Sequence, residues 1–113
     1  MFKLSIITDE ISQDFERALD VALDMGLDCV ELRTMWDQNI VNLEWDDVQR
    51  VKRMLKARGL TVSCLASPFL KCFLPHGRTI TKKGDSFKAR GETYEEHMKI
   101  LARSIELARE FET

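Results

Sequence analysis

Six segments of the chain carry a periodic pattern of hydrophobic and polar residues. Alternation or a compact β-rich run predicts a strand, and apolar residues three to four apart predict a helix. The strand patterns cover residues 3–9, 28–33 and 61–66. The helical patterns cover residues 14–25, 46–58 and 94–111. The segments alternate along the chain, with predicted loops over 34–45 and 69–92, so the pattern predicts alternating strands and helices.

Residues at the predicted helix ends support these boundaries. Ser12 or Asp14 can cap the first helix, because their side-chain oxygens accept a backbone N–H of the first turn. Thr93 and Glu96 have the spacing of a capping box ahead of the last helix. The capping signals therefore agree with the hydrophobic periodicity.

A weak internal repeat indicates how the strands are arranged. The stretches MGLDCVEL and RGLTVSCL each pass from helix through Gly-Leu into a strand, and their glycines, Gly26 and Gly59, lie 33 residues apart. That period is the size of a strand–helix unit, and short connections of this kind join parallel strands. The sequence therefore predicts an α/β fold with parallel strands in a single domain, residues 1–113.

The predicted sheet is small for a parallel sheet, whose two faces are normally covered. Three strand–helix units cannot close an eight-stranded barrel. The sequence therefore leaves two alternatives: a small open sheet, or the N-terminal part of something larger. Exposed strand edges would favour self-association, so we expect a homo-oligomer.

Composition narrows the classes of function. Hydrophobic residues make up 44% of the 113, which is enough for a core, and the net charge is −2 with no polybasic run. We expect no nucleic-acid partner and no membrane partner, because neither a basic patch nor an apolar run of about 20 residues is present. The first ten residues make a poor secretory signal, so the expected location is cytoplasmic.

The three cysteines do not suggest a disulfide framework or a zinc site, because their number is odd and no CxxC pair occurs. We predict that Cys29 and Cys64 are small buried residues in strands. Cys72 falls in the long predicted loop, where the sequence does not decide whether it is reactive.

Polar residues at the carboxyl ends of the predicted strands are the candidate site, because active sites of such folds gather there. Glu31 and Arg33 lie two positions apart in the second strand, so they share a face. We favour a function in binding substrate, because burying both groups without a use is costly. The alternative is a structural ion pair, formed with each other or with neighbours.

Other candidates are less decisive. Asp9 and Glu10, after the first strand, could face the site or simply favour the positive end of the first helix. Trp36, with Asn39 in the same loop, could stack on a sugar or plug the mouth of a barrel. The remaining residues are Ser67 as pocket wall, His97 as a core or boundary histidine, and His76 and Lys71 as loop residues that could reach the site.

Three motifs in order resemble the sugar phosphate isomerase/epimerase family. They are TDEIS after the first strand, ALDMGLDCVELR into the second, and ARGLTVSCLASPF through the third. This family belongs to the xylose-isomerase-like barrel superfamily, which also contains endonuclease IV-type enzymes. The resemblance implies a partial (β/α)8 TIM barrel, with Glu31 and Arg33 as rim residues and Trp36 and Ser67 as pocket wall.

The resemblance also implies a reaction. Family members use a divalent metal (Mn, Mg or Co) to move a proton on a sugar or sugar phosphate through an enediolate-like intermediate. The main ligands come from strands 4 to 8, beyond this sequence, so we expect neither tight metal binding nor activity from this chain alone. A non-catalytic, self-associating module is the alternative. A nuclease is disfavoured, because Ala66-Ser67-Pro68-Phe69 lacks the histidine that endonuclease-type members carry there.

Overall fold

A computed structural model describes residues 2–71 and 93–113 of the chain. Its α-helices are Phe15–Asp24 (α1), Trp45–Ala57 (α2) and Tyr94–Glu110 (α3). Its strands are Cys29–Leu32 (β1), Thr34–Met35 (β2), Gln38–Asn39 (β3) and Thr61–Leu65 (β4). Short 3-10 turns cover Thr8–Glu10 and Ile40–Asn42. The three predicted helices and the second and third predicted strands are confirmed, each to within one residue at either end.

The main sheet pairs β1 with β4 in parallel. Cys29 lies opposite Thr61 and Leu32 opposite Leu65, with a bulge between Val30 and Glu31. Parallel pairing of these strands needs a long connection, and the connection contains α2. The chain is therefore a mixed α/β protein built on a small parallel sheet, as the repeat predicted.

The prediction of a regular strand over residues 3–9 is wrong. Ile7 makes one isolated parallel bridge to Glu31, and the Glu31 N–H donates to Ile6 O at 2.9 Å. The chain then turns at Thr8–Glu10 instead of continuing along β1. This turn carries Asp9 toward Arg33, whose guanidinium it binds, and that contact is not visible in local periodicity.

The predicted loop over residues 34–45 contains a hairpin. Strands β2 and β3 pair in an antiparallel manner around Trp36 and Asp37, both of which have positive φ, 50° and 60°. Two-residue turns of this kind favour Asn-Gly, and Trp-Asp stands here instead, so the local sequence does not predict the hairpin. Gln13 supplies the missing support: its backbone O accepts the Trp36 N–H at 2.8 Å, and its Oε1 accepts the Asp37 N–H at 3.0 Å.

The hydrophobic core lies between the sheet and the helices α1 and α2. Alternate residues of the sheet, Val30, Leu32 and Val62, face this core and are buried. The helices contribute residues at helical spacing, namely Phe15, Leu19, Ala22, Val48, Val51 and Leu55. One face of the sheet is therefore covered by helices, as the hydrophobic pattern predicted.

Helix α3 buries a face that coincides only in part with the predicted one. The hydrophobic pattern predicts that His97, Leu101, Ser104, Ile105 and Ala108 point inward, with Met98 and Ile100 flanking. The structure buries His97, Ile100, Ser104 and Leu107, whereas Met98 and Ile105 are exposed. The helix has apolar residues on two sides, so periodicity alone could not choose which side packs.

Helix ends follow the capping signals. The Asp14 Oδ1 atom, not Ser12, accepts the Arg17 N–H at 3.2 Å and caps α1. Thr93 and Glu96 form both bonds of a capping box ahead of α3. Gly26 and Gly59 have φ of 76° and 67°, the left-handed conformation that ends a helix at low cost only with glycine.

Candidate functional site

An ion-pair cluster joins the end of the first extended segment to the end of β1. Arg33 binds Asp9 through two nitrogens, with Nε–Oδ2 at 3.0 Å and Nη2–Oδ2 at 2.8 Å. The same Nη2 donates to Glu10 Oε1 at 2.5 Å. Both segments run parallel, so their carboxyl ends meet at one rim, and Arg33 ties the two ends together.

The two carboxylates of this cluster differ in exposure. The Asp9 side chain is 7% exposed and the Glu10 side chain 59% exposed. Hydrogen bonding to Asp9 is the largest cause that raises the pKa of Arg33 above its ordinary value, although burial opposes the rise. Asp9 is therefore the anchor that holds Arg33 at the rim, and Glu10 is the carboxylate that faces solvent.

Glu31 lies beside Cys64 across the sheet, opposite it in register. Burial is the main cause that raises the pKa of the Cys64 thiol, and the Glu31 charge adds to it. The prediction that Cys64 is buried is wrong: Cys64 is exposed, because the bulge in the β1–β4 ladder turns it to the open face, whereas Cys29 is buried as expected.

The face of the sheet opposite the helices is polar. Ser5, Ser63 and Cys64 are exposed there, and Glu31 is half-buried. Ser5 and Ser63 lie on opposite sides of β1, yet their Oγ atoms are 2.7 Å apart. Strands two places apart in a flat sheet are separated by about 9.6 Å. The short contact therefore indicates a sheet that curves strongly toward this polar face, which we call the open face.

Trp36 lies in the hairpin turn and packs against helices. Its ring contacts the Phe15 ring edge-on, with centroids 5.8 Å apart. The Arg50 guanidinium lies 4.5 Å from the centroid of the Trp36 ring. A sugar would need a free ring face, so these contacts favour the packing alternative for Trp36. Asn39 is buried, and its Oδ1 accepts the Val41 N–H at 3.2 Å.

Ser67 follows β4 and binds α3. Its Oγ is 2.6 Å from Ser104 Oγ, and it accepts the Phe69 N–H at 3.2 Å. His97, also on α3, is buried, and its Nδ1 accepts the Leu70 N–H at 3.1 Å. Segment 67–70 is thus fastened to α3, and the prediction of a buried core or boundary His97 is confirmed.

Two buried polar atoms have no hydrogen-bond partner within residues 2–71 and 93–113. They are Thr8 Oγ1, just ahead of Asp9, and His97 Nε2. Because Nδ1 of His97 accepts a hydrogen bond, a neutral imidazole carries its proton on Nε2. Buried polar atoms in native proteins are nearly always paired, so each of these positions calls for a partner. Cys72 and His76 lie outside the described residues.

The described residues do not form a metal site. No group of three His, Cys, Asp or Glu side chains in residues 2–71 and 93–113 could hold an ion. Asp9 and Glu10 are both bound to Arg33. The described residues therefore supply no complete ligand set, which the family resemblance places on further strands.

Sequence reasoning missed the contribution of Gln13 to this region. Besides holding the hairpin turn, its Nε2 donates to Thr34 Oγ1 at 2.7 Å. Gln13 therefore links the start of α1 to the segment that follows Arg33. Its only sequence signal is a position just ahead of a helix, which does not distinguish it from an ordinary polar residue.

Comparisons with known proteins add no assignment. Protein-family models, curated proteins and solved structures were all searched, and no match to this chain was found. In the described part of the chain, each helix is too short or too polar to span a bilayer.

Proposed function

We propose that this chain is the N-terminal part of a metal-dependent sugar or sugar-phosphate isomerase or epimerase of the (β/α)8 type. It would build part of the substrate-binding rim, and carboxylates on further strands would move the proton through an enediolate-like intermediate. The proposal begins from the sequence resemblance. The parallel order of β1 and β4, with α2 between them, is compatible with it.

The observation that carries the proposal is the curved sheet with a polar open face. A parallel sheet normally has both faces covered, whereas here Ser5, Ser63 and Cys64 are exposed. Curvature toward the polar face is what a barrel needs, because the strands must close around that face.

Arg33 and Glu10 are the residues best placed to meet a substrate. Asp9 holds the guanidinium in place, and Glu10 can exchange its contact with Arg33 for one with solvent or ligand because it is exposed. A guanidinium so held suits a phosphate or a sugar hydroxyl. Glu31, lower on the open face, would accept hydrogen bonds from hydroxyl groups.

Titration of the isotope-labelled chain with sugars and sugar phosphates, followed by amide NMR, tests the proposal. We expect binding in the millimolar range, about −4 kcal/mol, with shifts concentrated at Glu10, Glu31 and Arg33 and no turnover. Glu31→Gln should weaken binding, whereas Glu44→Gln, an exposed residue ahead of α2, should not. Shifts confined to other regions, or none at tens of millimolar, would contradict the proposal.

Inorganic phosphate serves as the second arm of this titration. If neutral sugars produce no shifts, and sugar phosphates bind no more tightly than inorganic phosphate and shift the same amides, the rim binds anions and the assignment to sugar chemistry fails. If neutral sugars shift the same amides, the rim recognises hydroxyl groups as proposed.

A further inference from the structure

Two edges of the curved sheet are complementary to each other. Within the described residues, no strand pairs with the outer edge of β4. On the other side of β1, Leu4 O and Ile6 O accept hydrogen bonds from Cys29 and Glu31, and Phe2 and Leu4 are 100% and 78% exposed. One edge thus offers unpaired backbone groups, and the other offers a segment alongside β1 with unburied apolar side chains.

The side chains of both edges lie on the same side of the sheet. Ile6 packs against the helix-covered core, so Leu4 and Phe2, at steps of two, face the same layer. Val62 of β4 faces that layer too. Beside it, at the amino end of β4, opens a cavity of about 430 Å³ lined by Leu55, Leu60, Val62 and Phe111, together with lysine side chains of α2 and glutamates at the end of the chain.

We propose that residues 2–6 of one copy pair in parallel with the outer edge of β4 in a second copy, placing Phe2 and Leu4 against this cavity. Each copy has one such strand and one such edge, so two copies related by a two-fold axis satisfy both. The curvature shown by the Ser5–Ser63 contact lets the two sheets close around their open faces. The proposal does not rest on the proposed function and competes with it for one edge, because in a complete barrel a further strand of the same protein would pair with the outer edge of β4.

The apolar area is sufficient for a stable dimer. Burying Phe2 removes about 150–250 Å² of surface. With Leu4, the cavity wall and both edges counted, the total is on the order of the 1,200–2,000 Å² of stable interfaces.

Mass measurement of the full chain by light scattering or sedimentation tests the pairing. We expect a dimer whose dissociation constant rises at least tenfold in Phe2→Ser/Leu4→Lys. Both side chains are exposed within one copy, so the variant should keep its fold, checked by circular dichroism. Tyr94→Ser is the matched control, because Tyr94 is 73% exposed at the start of α3 and should leave the dimer unchanged.

A second variant tests the backbone pairing separately. Ile6 O bonds to β1, so by alternation the Lys3 N–H points to the outer edge. Lys3→Pro removes that donor and should weaken the dimer, whereas Lys3→Ala should not. A monodisperse monomer of the wild-type chain at high micromolar concentration would overturn the proposal, as would a dimer indifferent to Phe2→Ser/Leu4→Lys.

Discussion

The two faces of the parallel sheet differ in burial and in polarity. The face with Val30, Leu32 and Val62 is covered by α1 and α2, and its side chains are fully or almost fully buried. The opposite face carries the half-buried Glu31 and two exposed serines, Ser5 and Ser63, which bond to each other and to backbone carbonyls of β1. The covered face supplies stability, and the open face is available for a ligand, further strands or a second copy.

Truncation on the covered face should have the largest effect. Leu32→Ala removes a fully buried side chain between sheet and helices, so we expect a loss of about 2–5 kcal/mol in the free energy of unfolding. Urea denaturation followed by circular dichroism measures it. Leu23→Ala, on the exposed side of α1, is the control and should cost about 0.5 kcal/mol. Equal losses would mean that the covered face is not the core.

Breaking the rim cluster should have the next largest effect. Arg33→Ala leaves the buried Asp9 carboxylate without its main partner, and we expect a loss of about 2–3 kcal/mol. Glu10→Gln should cost less than about 1 kcal/mol, because that carboxylate is exposed. A double-mutant cycle with Asp9→Asn measures the coupling to Arg33. A coupling energy near zero would show that Asp9 does not hold Arg33 in place.

On the open face, substitution should change reactivity rather than stability. Glu31→Gln removes the charge that helps raise the pKa of Cys64, so this pKa falls and more thiolate is present at pH 8. We expect alkylation of Cys64 to become faster, because the thiolate is the nucleophile. Mass spectrometry of the Cys64 peptide measures the rate. An unchanged rate would place Glu31 away from the thiol.

The smallest effect concerns a contact between α2 and α3. Lys52 Nζ donates to Glu110 Oε1 at 2.6 Å. Hydrogen bonds from Lys52 and Gln49 lower the pKa of Glu110 below its ordinary value. A lowered folded-state pKa stabilises the protein above the unfolded-state pKa of about 4.3, and this contribution is lost as the pH falls through the folded-state pKa. Wild type should therefore lose stability between pH 5 and 3 slightly more than Glu110→Gln. Parallel urea curves across this range would contradict the contact.

Some of the candidate site could be anticipated from the sequence. The rule that polar residues at the carboxyl ends of parallel strands lie close together correctly predicts that Glu10 is near Arg33. It did not reveal that Asp9 holds Arg33, because an ion pair between residues 24 positions apart leaves no mark on the local pattern. Trp36 shows the same limit: its loop position left stacking on a sugar and packing both open, and contacts with Phe15 and Arg50, distant in sequence, favour packing.

The sequence by itself determined the helices, the strands β1 and β4, their caps and the covered face of the sheet. These features depend on residues a few positions apart, where the periods of helix and strand and the left-handed glycines act directly. Tertiary structure alone decided the turn at Thr8–Glu10, the hairpin held by Gln13, the packed face of α3 and the exposure of Cys64. Each depends on partners far along the chain, so its energy is set by which segments meet and not by the local pattern.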